Sequence, residues 1–250
     1  MALDTFEYLI RLGDDRLVLG HRLSEWCGHA PILEEDIALA NIALDLIGQA
    51  NLLFTLAGDA EGAGRDADAL AYLRDSLDFR NVLLVELPNG DFAVTIARQF
   101  FFSVFATLQA EALMKSADKD LAGVAEKMHK ESRYHVRHSG EWMLKLGDGT
   151  EESHTRLQDA VNELWRYTGE LFVSDDVERR LVQQKVAVDS SAIEARWREQ
   201  VNEVLGRAGI QPPEVKWMQR GGRAGQHTEH LSHMLAEMQI LQRQHPGASW

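Results

Sequence analysis

Three polar residues, Asn41, Asp45 and Gln49, recur at steps of four within an otherwise apolar stretch. On a helix this spacing places them on one strip, and Asp45 is the only formal charge between Ile37 and Phe54. A carboxylate on the inner face of a helix needs a partner, because burying an unpaired charge is costly. We expect Asp45 to pair with a polar or basic group on an adjacent helix; a general-base role is the alternative.

Paired Glu-x-x-His motifs would indicate a di-iron site. Ferritin-like bundles bind two irons with such pairs on two helices and a Glu from each of two others. The sequence has two literal matches, at Glu126/His129 and Glu151/His154. His129 of the first pair lies about 100° away from the predicted core face of its helix, which carries Met128 and His135. The second pair falls in the first turn of its helix, where polar residues meet solvent. The inward residues at this spacing are instead Ser132 and His135, and Leu46 and Gln49. Because neither pair has a carboxylate, we expect no di-iron centre.

The other candidate groups have simpler interpretations. His227, His230 and His233 recur at steps of three, which spreads their rings over about 120° of a helix, too wide for one metal ion without further ligands. We expect them to flank and cap the last helix. Gly221–Gly225 precedes that helix and could cradle an anion, but it fits no phosphate-loop spacing, so we interpret it as a flexible or partner-contacting loop. His135 is interpreted as a hydrogen-bonded core histidine.

Helices must position all of these residues. Apolar residues recur at steps of three and four along most of the chain, and no paired strands alternate. The predicted core helices cover about 4–27, 31–57, 91–116, 118–146 and 150–173, with shorter helices near 66–74, 177–184, 190–208 and 228–244. Residues 81–86 are predicted to be helix or extended connector. This order indicates an all-α fold, a ferritin-like four-helix bundle with additional C-terminal helices, in a single domain over residues 1–250.

The helix that starts at Pro31 is predicted to lie at the centre of the bundle. Two apolar rows follow its length: Leu33, Ile37, Ala40, Leu44 and Ile47, and Leu39, Ala43, Leu46, Ala50 and Leu53. Because both rows are apolar, we expect most of the circumference of this helix to be buried in protein. The helix has nearly the length of a membrane span, but its polar strip would be costly in lipid.

Composition narrows the classes of partner. The 250 residues carry a net charge of -13, which disfavours nucleic acid and anionic membranes. The single Cys27 cannot form an internal disulfide, and the N-terminus lacks the basic-then-apolar order of a signal peptide, so we expect a cytoplasmic protein. Trp197, Trp217 and Trp250 are candidate anchors of an interface, with local packing as the alternative for each.

Six stretches in the same order carry a resemblance to a known family. They are Glu25–Pro31, Leu39–Ala50, Pro88–Gly90, Arg133–His135, His227–Leu231 and Met234–Gln239. In these stretches the chain resembles the non-catalytic ferritin-like subunits of the ring 1,2-phenylacetyl-CoA epoxidase, the multicomponent oxygenase of bacterial phenylacetate breakdown. The resemblance places Leu46 and Gln49 at the first Glu-x-x-His pair of the catalytic paralogue, and Ser132 and His135 at the second. Three of these four ligands are therefore missing.

The resemblance implies a structural subunit of a monooxygenase complex that is not catalytic alone and holds no cofactor. The implied partners are a di-iron catalytic subunit, a small third subunit and, transiently, a reductase with flavin and an iron–sulfur cluster that uses NADPH; alone, the chain is expected to form a homodimer. The polar groups left in the bundle would form a buried network of Asn41, Asp45, Gln49, Gln99, Ser103 and His135. Two alternatives stay open: an independent metal-dependent oxidase or oxygenase bundle, and a homodimeric scaffold without an oxygenase partner.

Overall fold

The protein is described by a computed structural model over residues 2–248. All regular secondary structure in this range is helical, so the predicted all-α fold class is confirmed. The α-helices of the range are α1 (Ala2–Ser24), α2 (Leu33–Glu61), α3 (Ala67–Tyr72), α4 (Leu83–Glu86), α5 (Phe92–Leu113), α6 (Lys119–Gly147), α7 (Glu151–Leu164), α8 (Asp176–Gln183), α9 (Glu194–Arg207) and α10 (Glu229–Gln244). Short 3-10 helices cover Ser76–Asp78, Trp165–Phe172, Ser190–Ile193 and Gly222–Ala224.

The first compact unit combines the chain up to Pro88 with the chain from Gly221 onward. Its frame is the α1/α2 hairpin, in which the two long helices pack along each other. The turn between them is held by Asp36, whose Oδ2 accepts a hydrogen bond from the backbone N–H of Gly28 at 2.7 Å. Gly13 lets the helices approach closely, because a Cβ there would lie 2.4 Å from the ring of Phe54.

The C-terminal helix α10 belongs to this same unit. It packs on α3, where Gln239 Nε2 donates to the carbonyls of Ala71 at 3.1 Å and Arg74 at 3.0 Å. The short α4 packs on α1, and Arg22 Nη2 donates to the carbonyl of Glu86 at 2.8 Å. These hydrogen bonds join segments that are distant in sequence within one unit.

The second compact unit is Asn89–Arg220, and its frame is the α5/α6 hairpin. Asp91 and Asp118 cap the starts of these two helices, since each side chain accepts a hydrogen bond from a backbone N–H of the first turn. The helices α7 and α9 pack against α5. The indole of Trp197 lies among aromatic rings between these helices and donates to the carbonyl of Phe101 at 2.8 Å.

Several predicted helix ends are wrong. The helix predicted over 150–173 is an α-helix to Leu164 and a 3-10 helix from there to Phe172. Likewise, α2 runs to Glu61 rather than 57, because Gly58 continues the helix and Gly62, at φ 68°, provides the left-handed cap. The connector at 81–86 contains the helix α4. The single domain over 1–250 stays a prediction.

The prediction that α2 is buried around most of its circumference is wrong. Its second apolar row is buried, but Leu33, Ile37 and Leu44 of the first row are 72%, 54% and 67% exposed. By length and composition alone, α2 and α5 would be long and apolar enough to cross a membrane. The most apolar window of α5 is 83% buried inside the protein and that of α2 only 44%. One face of α2 is therefore uncovered.

Candidate functional site

The first pair of predicted degenerate ligand positions lies on the inner face of α2. Leu46 and Gln49 are both buried. Gln49 Oε1 accepts a hydrogen bond at 3.1 Å from Nε of Arg16, which reaches it from α1. The Arg16 guanidinium is completely buried and also donates to the carbonyl of Leu12 at 2.8 Å. The amide at this ligand position is thus engaged by a buried cation.

Arg16 remains charged at neutral pH. Burial lowers the pKa of its guanidinium to about 10, against the opposing effect of the neighbouring Asp15 carboxylate, and a group with that pKa is protonated at pH 7. A fixed positive charge beside Gln49 repels a metal cation. Arg16 was not among the residues predicted from the sequence, although a signal was present: it interrupts the apolar row Leu9, Leu12, Leu19 and Leu23 on α1.

The second pair of degenerate positions lies on α6, in the other unit. Ser132 and His135 are each 1% exposed, so their predicted inward orientation is confirmed. On α5 of the same unit, Gln99 and Ser103 are also buried, and Gln99 Nε2 donates to Ser103 Oγ at 2.8 Å. Within the described part of the chain, Gln99 Oε1 and Ser132 Oγ have no hydrogen-bond partner. The inward polar groups named here are amide, hydroxyl and imidazole.

The predicted polar network needs correction on α2. Asn41 is exposed and Asp45 is half-buried, so Asn41 does not belong to a buried network. The reason is its position on the helix, since Asn41 shares the uncovered face of α2 with Ile37 and Leu44. Gln49 is buried, with Arg16 as a partner. A network that also includes Gln99, Ser103 and His135 stays a prediction.

The literal Glu-x-x-His pairs do not form a site. Glu126 is exposed and forms an ion pair with Lys130 at 2.8 Å, while His129 Nδ1 lies 3.4 Å from the carbonyl of Thr107. Glu151 is exposed, and the ring of its partner His154 hydrogen-bonds a backbone carbonyl at 2.8 Å. Over residues 2–248, no three His, Cys, Asp or Glu side chains are grouped so that they could hold a metal ion.

Buried ion pairs tie the first unit together, and they were not predicted from the sequence. Asp15 is fully buried and accepts hydrogen bonds from Arg223 at 3.0 and 2.7 Å and from the backbone N–H of Val82 at 2.8 Å. Its neighbour Asp14 pairs with Arg74, with Nη1 to Oδ2 at 3.0 Å. Both carboxylates of α1 therefore face arginines from later parts of the chain.

The Gly221–Gly225 segment is consequently not flexible; its interpretation as a partner-contacting loop stays a prediction. Arg223 also donates to the backbone carbonyl of Arg80 at 2.7 Å, which fixes the segment against the chain before α4. A Cβ on the buried Gly222 would lie 2.0 Å from the carbonyl oxygen of Asn81, so only glycine permits this approach. The segment is a packed part of the core of its unit.

His227 follows this segment and forms a third buried ion pair. Its Nδ1 lies 2.7 Å from Glu86 Oε2 and its Nε2 lies 2.9 Å from the carbonyl of Phe79. A carboxylate and a carbonyl both accept hydrogen bonds, so the two contacts favour an imidazolium that donates from both ring nitrogens. Burial lowers the pKa of His227, but the hydrogen bond and charge of Glu86 outweigh burial and raise it. His233, by contrast, is exposed, so the histidine run does not converge.

The three tryptophans proposed as interface anchors lie in different environments. Trp197 is completely buried and packs against the rings of Phe101 and Phe172, so local packing is the alternative that applies to it. Trp217 is 64% exposed. Trp250 lies outside the described residues.

Two long helical hairpins in an all-α chain are typical of the ferritin-like fold. The chain belongs to a family described as phenylacetic acid catabolic protein, which matches residues 2–250. It is also 48% identical over 243 residues to the C subunit of the 1,2-phenylacetyl-CoA epoxidase of Escherichia coli (strain K12), covering 97% of this chain and 98% of that protein. The family resemblance and the ferritin-like all-α fold class are thereby confirmed.

Proposed function

We propose that this chain is a non-catalytic structural subunit of a multicomponent oxygenase that epoxidises the aromatic ring of phenylacetyl-CoA. In this role it pairs with a di-iron catalytic subunit and supports its fold. The observation that carries the proposal is the buried Arg16 guanidinium, which engages Gln49 where the family resemblance places a metal ligand. The name of the Escherichia coli relative, a subunit of an epoxidase, supports membership in a larger assembly.

The residues present do not fit a di-iron centre. Iron of this kind prefers carboxylate oxygens together with imidazole. In the α1/α2 hairpin, Leu46 offers no donor atom and the Gln49 amide oxygen accepts from a cation. In the α5/α6 hairpin, Ser132 stands where a carboxylate would be needed, which leaves His135 as the one family ligand. We therefore assign iron and oxygen chemistry to the catalytic partner.

The other components of the proposed complex follow from the family. They are a small third subunit and a reductase that binds transiently and passes electrons from NADPH through flavin and an iron–sulfur cluster. The chain itself would need no cofactor, would reside in the cytoplasm and would form a homodimer in the absence of its partner. Its net charge of -13 supports a protein partner rather than nucleic acid.

Co-expression with the catalytic paralogue tests the proposal. We expect the two chains to co-purify, and the paralogue to become less soluble when this chain is omitted. With reductase, NADPH, dioxygen and phenylacetyl-CoA, the complex should form the epoxide, with the second oxygen atom released as water, and this chain alone should not. The paralogue purified alone is the matched control. Epoxidation by this chain without the paralogue, or failure of the two chains to associate, would overturn the proposal.

A further inference from the structure

The uncovered face of α2 carries a row of exposed aliphatic side chains, with the exposed Asn41 beside them. We name the set Leu33, Ile37, Leu44 and Gly48 the α2 stripe; its members follow each other at steps of four, seven and four, which places them on one face. Leu33, Ile37 and Leu44 are more than half exposed. A Cβ added to Gly48 would meet no heavy atom within 4 Å, so the space above this part of the helix is open.

Exposed aliphatic groups in such a row are unusual for a protein that functions as a monomer. Scattered surface leucines need no explanation, but a contiguous apolar patch marks an interaction surface. The stripe extends for about 22 Å along the helix, at 1.5 Å per residue, which is long enough for several turns of a second helix. The small Gly48 at its end would permit a partner backbone to approach closely.

The charge pattern of α2 identifies the kind of partner. The helix carries six Asp and Glu residues and no Lys or Arg. Glu34 and Asp59 are exposed towards the two ends of the helix, and the half-buried Asp36 and Asp45 lie at the edges of the stripe. Two copies of α2 packed together would oppose acidic side chains on both sides, and an anionic membrane would be repelled in the same way. A basic surface would instead be attracted.

We infer that the α2 stripe is the docking surface for a helix of a different protein chain, apolar at its centre and bordered by Lys or Arg. The inference rests on the proposed function, since the catalytic paralogue is the partner to which it commits. It adds the face of this chain that the partner covers. Burial of Ile37 and Leu44 would supply the apolar part of the interface, and the acidic edges would set the orientation of the partner helix.

The experiment compares two equally exposed leucines of the same unit. Leu44→Asn alters the stripe, and Leu77→Asn alters a leucine that is 73% exposed outside it, compared with 67% for Leu44. Binding of each purified full chain to the catalytic paralogue is measured by titration calorimetry. We expect Leu44→Asn to weaken binding at least about tenfold, as truncation of a central apolar anchor does, and Leu77→Asn to stay within about twofold.

A second variant controls for effects on folding. Gly48→Gln adds a side chain to open space in a helix and removes a flexible residue, so the isolated chain should stay folded. It should nevertheless obstruct the partner helix and weaken binding. Raising the salt concentration should weaken the wild-type complex as well, because its acidic and basic edges are screened.

The outcomes separate this inference from the proposed function. If the wild-type chain binds the paralogue and both stripe variants bind equally well, the inference is overturned while the proposed function stands. If the wild-type chain does not bind the paralogue, both fall. If the stripe variants instead alter only self-association, measured by light scattering, or only binding to anionic vesicles, the occupant is a second copy or a membrane and the inference is wrong.

Discussion

Replacement of Arg16 by methionine tests the role of the buried guanidinium beside Gln49. Arg16→Met keeps a long side chain and removes a guanidinium that is fully buried in the α1/α2 hairpin. Burial, partly offset by the Asp15 carboxylate, lowers the pKa of the Arg16 guanidinium to about 10, which corresponds to a net cost of about 3 kcal/mol for keeping the charge there, since one pKa unit corresponds to about 1.4 kcal/mol. The substitution removes that cost but also removes the donor to Gln49.

The two effects nearly cancel. A hydrogen bond to a charged group contributes about 1.5–3 kcal/mol, so we expect the free energy of unfolding of Arg16→Met to lie within about 1 kcal/mol of wild type. Gln49→Leu alone keeps the buried charge and removes one of its acceptors, and should lower the free energy of unfolding by about 2–3 kcal/mol. The double variant Arg16→Met/Gln49→Leu should be at least as stable as wild type, because apolar replacement of a buried polar pair removes its desolvation cost.

Equilibrium denaturation in urea, followed by circular dichroism, measures all four proteins. We expect Gln49→Leu to be less stable than wild type, with Arg16→Met and the double variant near or above wild type. A loss of more than about 4 kcal/mol in Arg16→Met that the second substitution does not restore would refute this explanation. In that case the guanidinium would be required by the α1/α2 hairpin and not merely accommodated there.

Three further predictions concern the ion pairs and glycines. Asp15→Asn should lower the free energy of unfolding by about 3 kcal/mol, because Arg223 then lacks its carboxylate partner. In a double-mutant cycle, adding Arg223→Met should cause little further loss of stability. Losses that simply add would argue against an ion pair between the two residues. Because the pKa of His227 is raised in the folded state, its stabilising effect is complete below about pH 6.5 and is lost as the pH rises through the folded-state pKa. The melting temperatures of wild type and His227→Gln should therefore converge at high pH. A difference in melting temperature that does not change with pH would contradict this. Gly222→Ala should lower the melting temperature, because the added Cβ would clash with the carbonyl oxygen of Asn81. Gly123→Ala places a methyl group in open space on α6 and should raise the free energy of unfolding by about 1 kcal/mol. Equal effects of the two substitutions on stability would be inconsistent with the close approach at Gly222.

The sequence was sufficient to predict which helix face is buried where a helix has one apolar face. On α6 the row that contains Ser132 and His135 is buried as predicted, because one apolar face of an amphipathic helix points to one core. On α2 the same reasoning failed, since both sides of the helix are apolar and periodicity does not show which side is covered. Leu44 is therefore exposed although its apolar character predicted burial.

Long-range ion pairs could not be predicted from the sequence, for a different reason. Asp15 and Arg223 are far apart in the chain, and a single sequence contains no signal that joins them. The glycine-rich segment around Arg223 was therefore interpreted as flexible, whereas the buried pair fixes it. Arg16 did have a local signal, as a charge within an apolar row of α1, but its partner Gln49 is a helix away. In both cases the partner residue is set by tertiary packing, which the local sequence does not show.

Iron loading of the isolated chain tests the central claim most directly. The purified chain is incubated anaerobically with ferrous iron, separated from free metal and analysed for bound iron, with the catalytic paralogue treated in parallel as the positive control. We predict that the paralogue retains two irons and that this chain retains none in stoichiometric amount, since Arg16 engages Gln49 where the family resemblance places a ligand. Two irons held by this chain would contradict that claim.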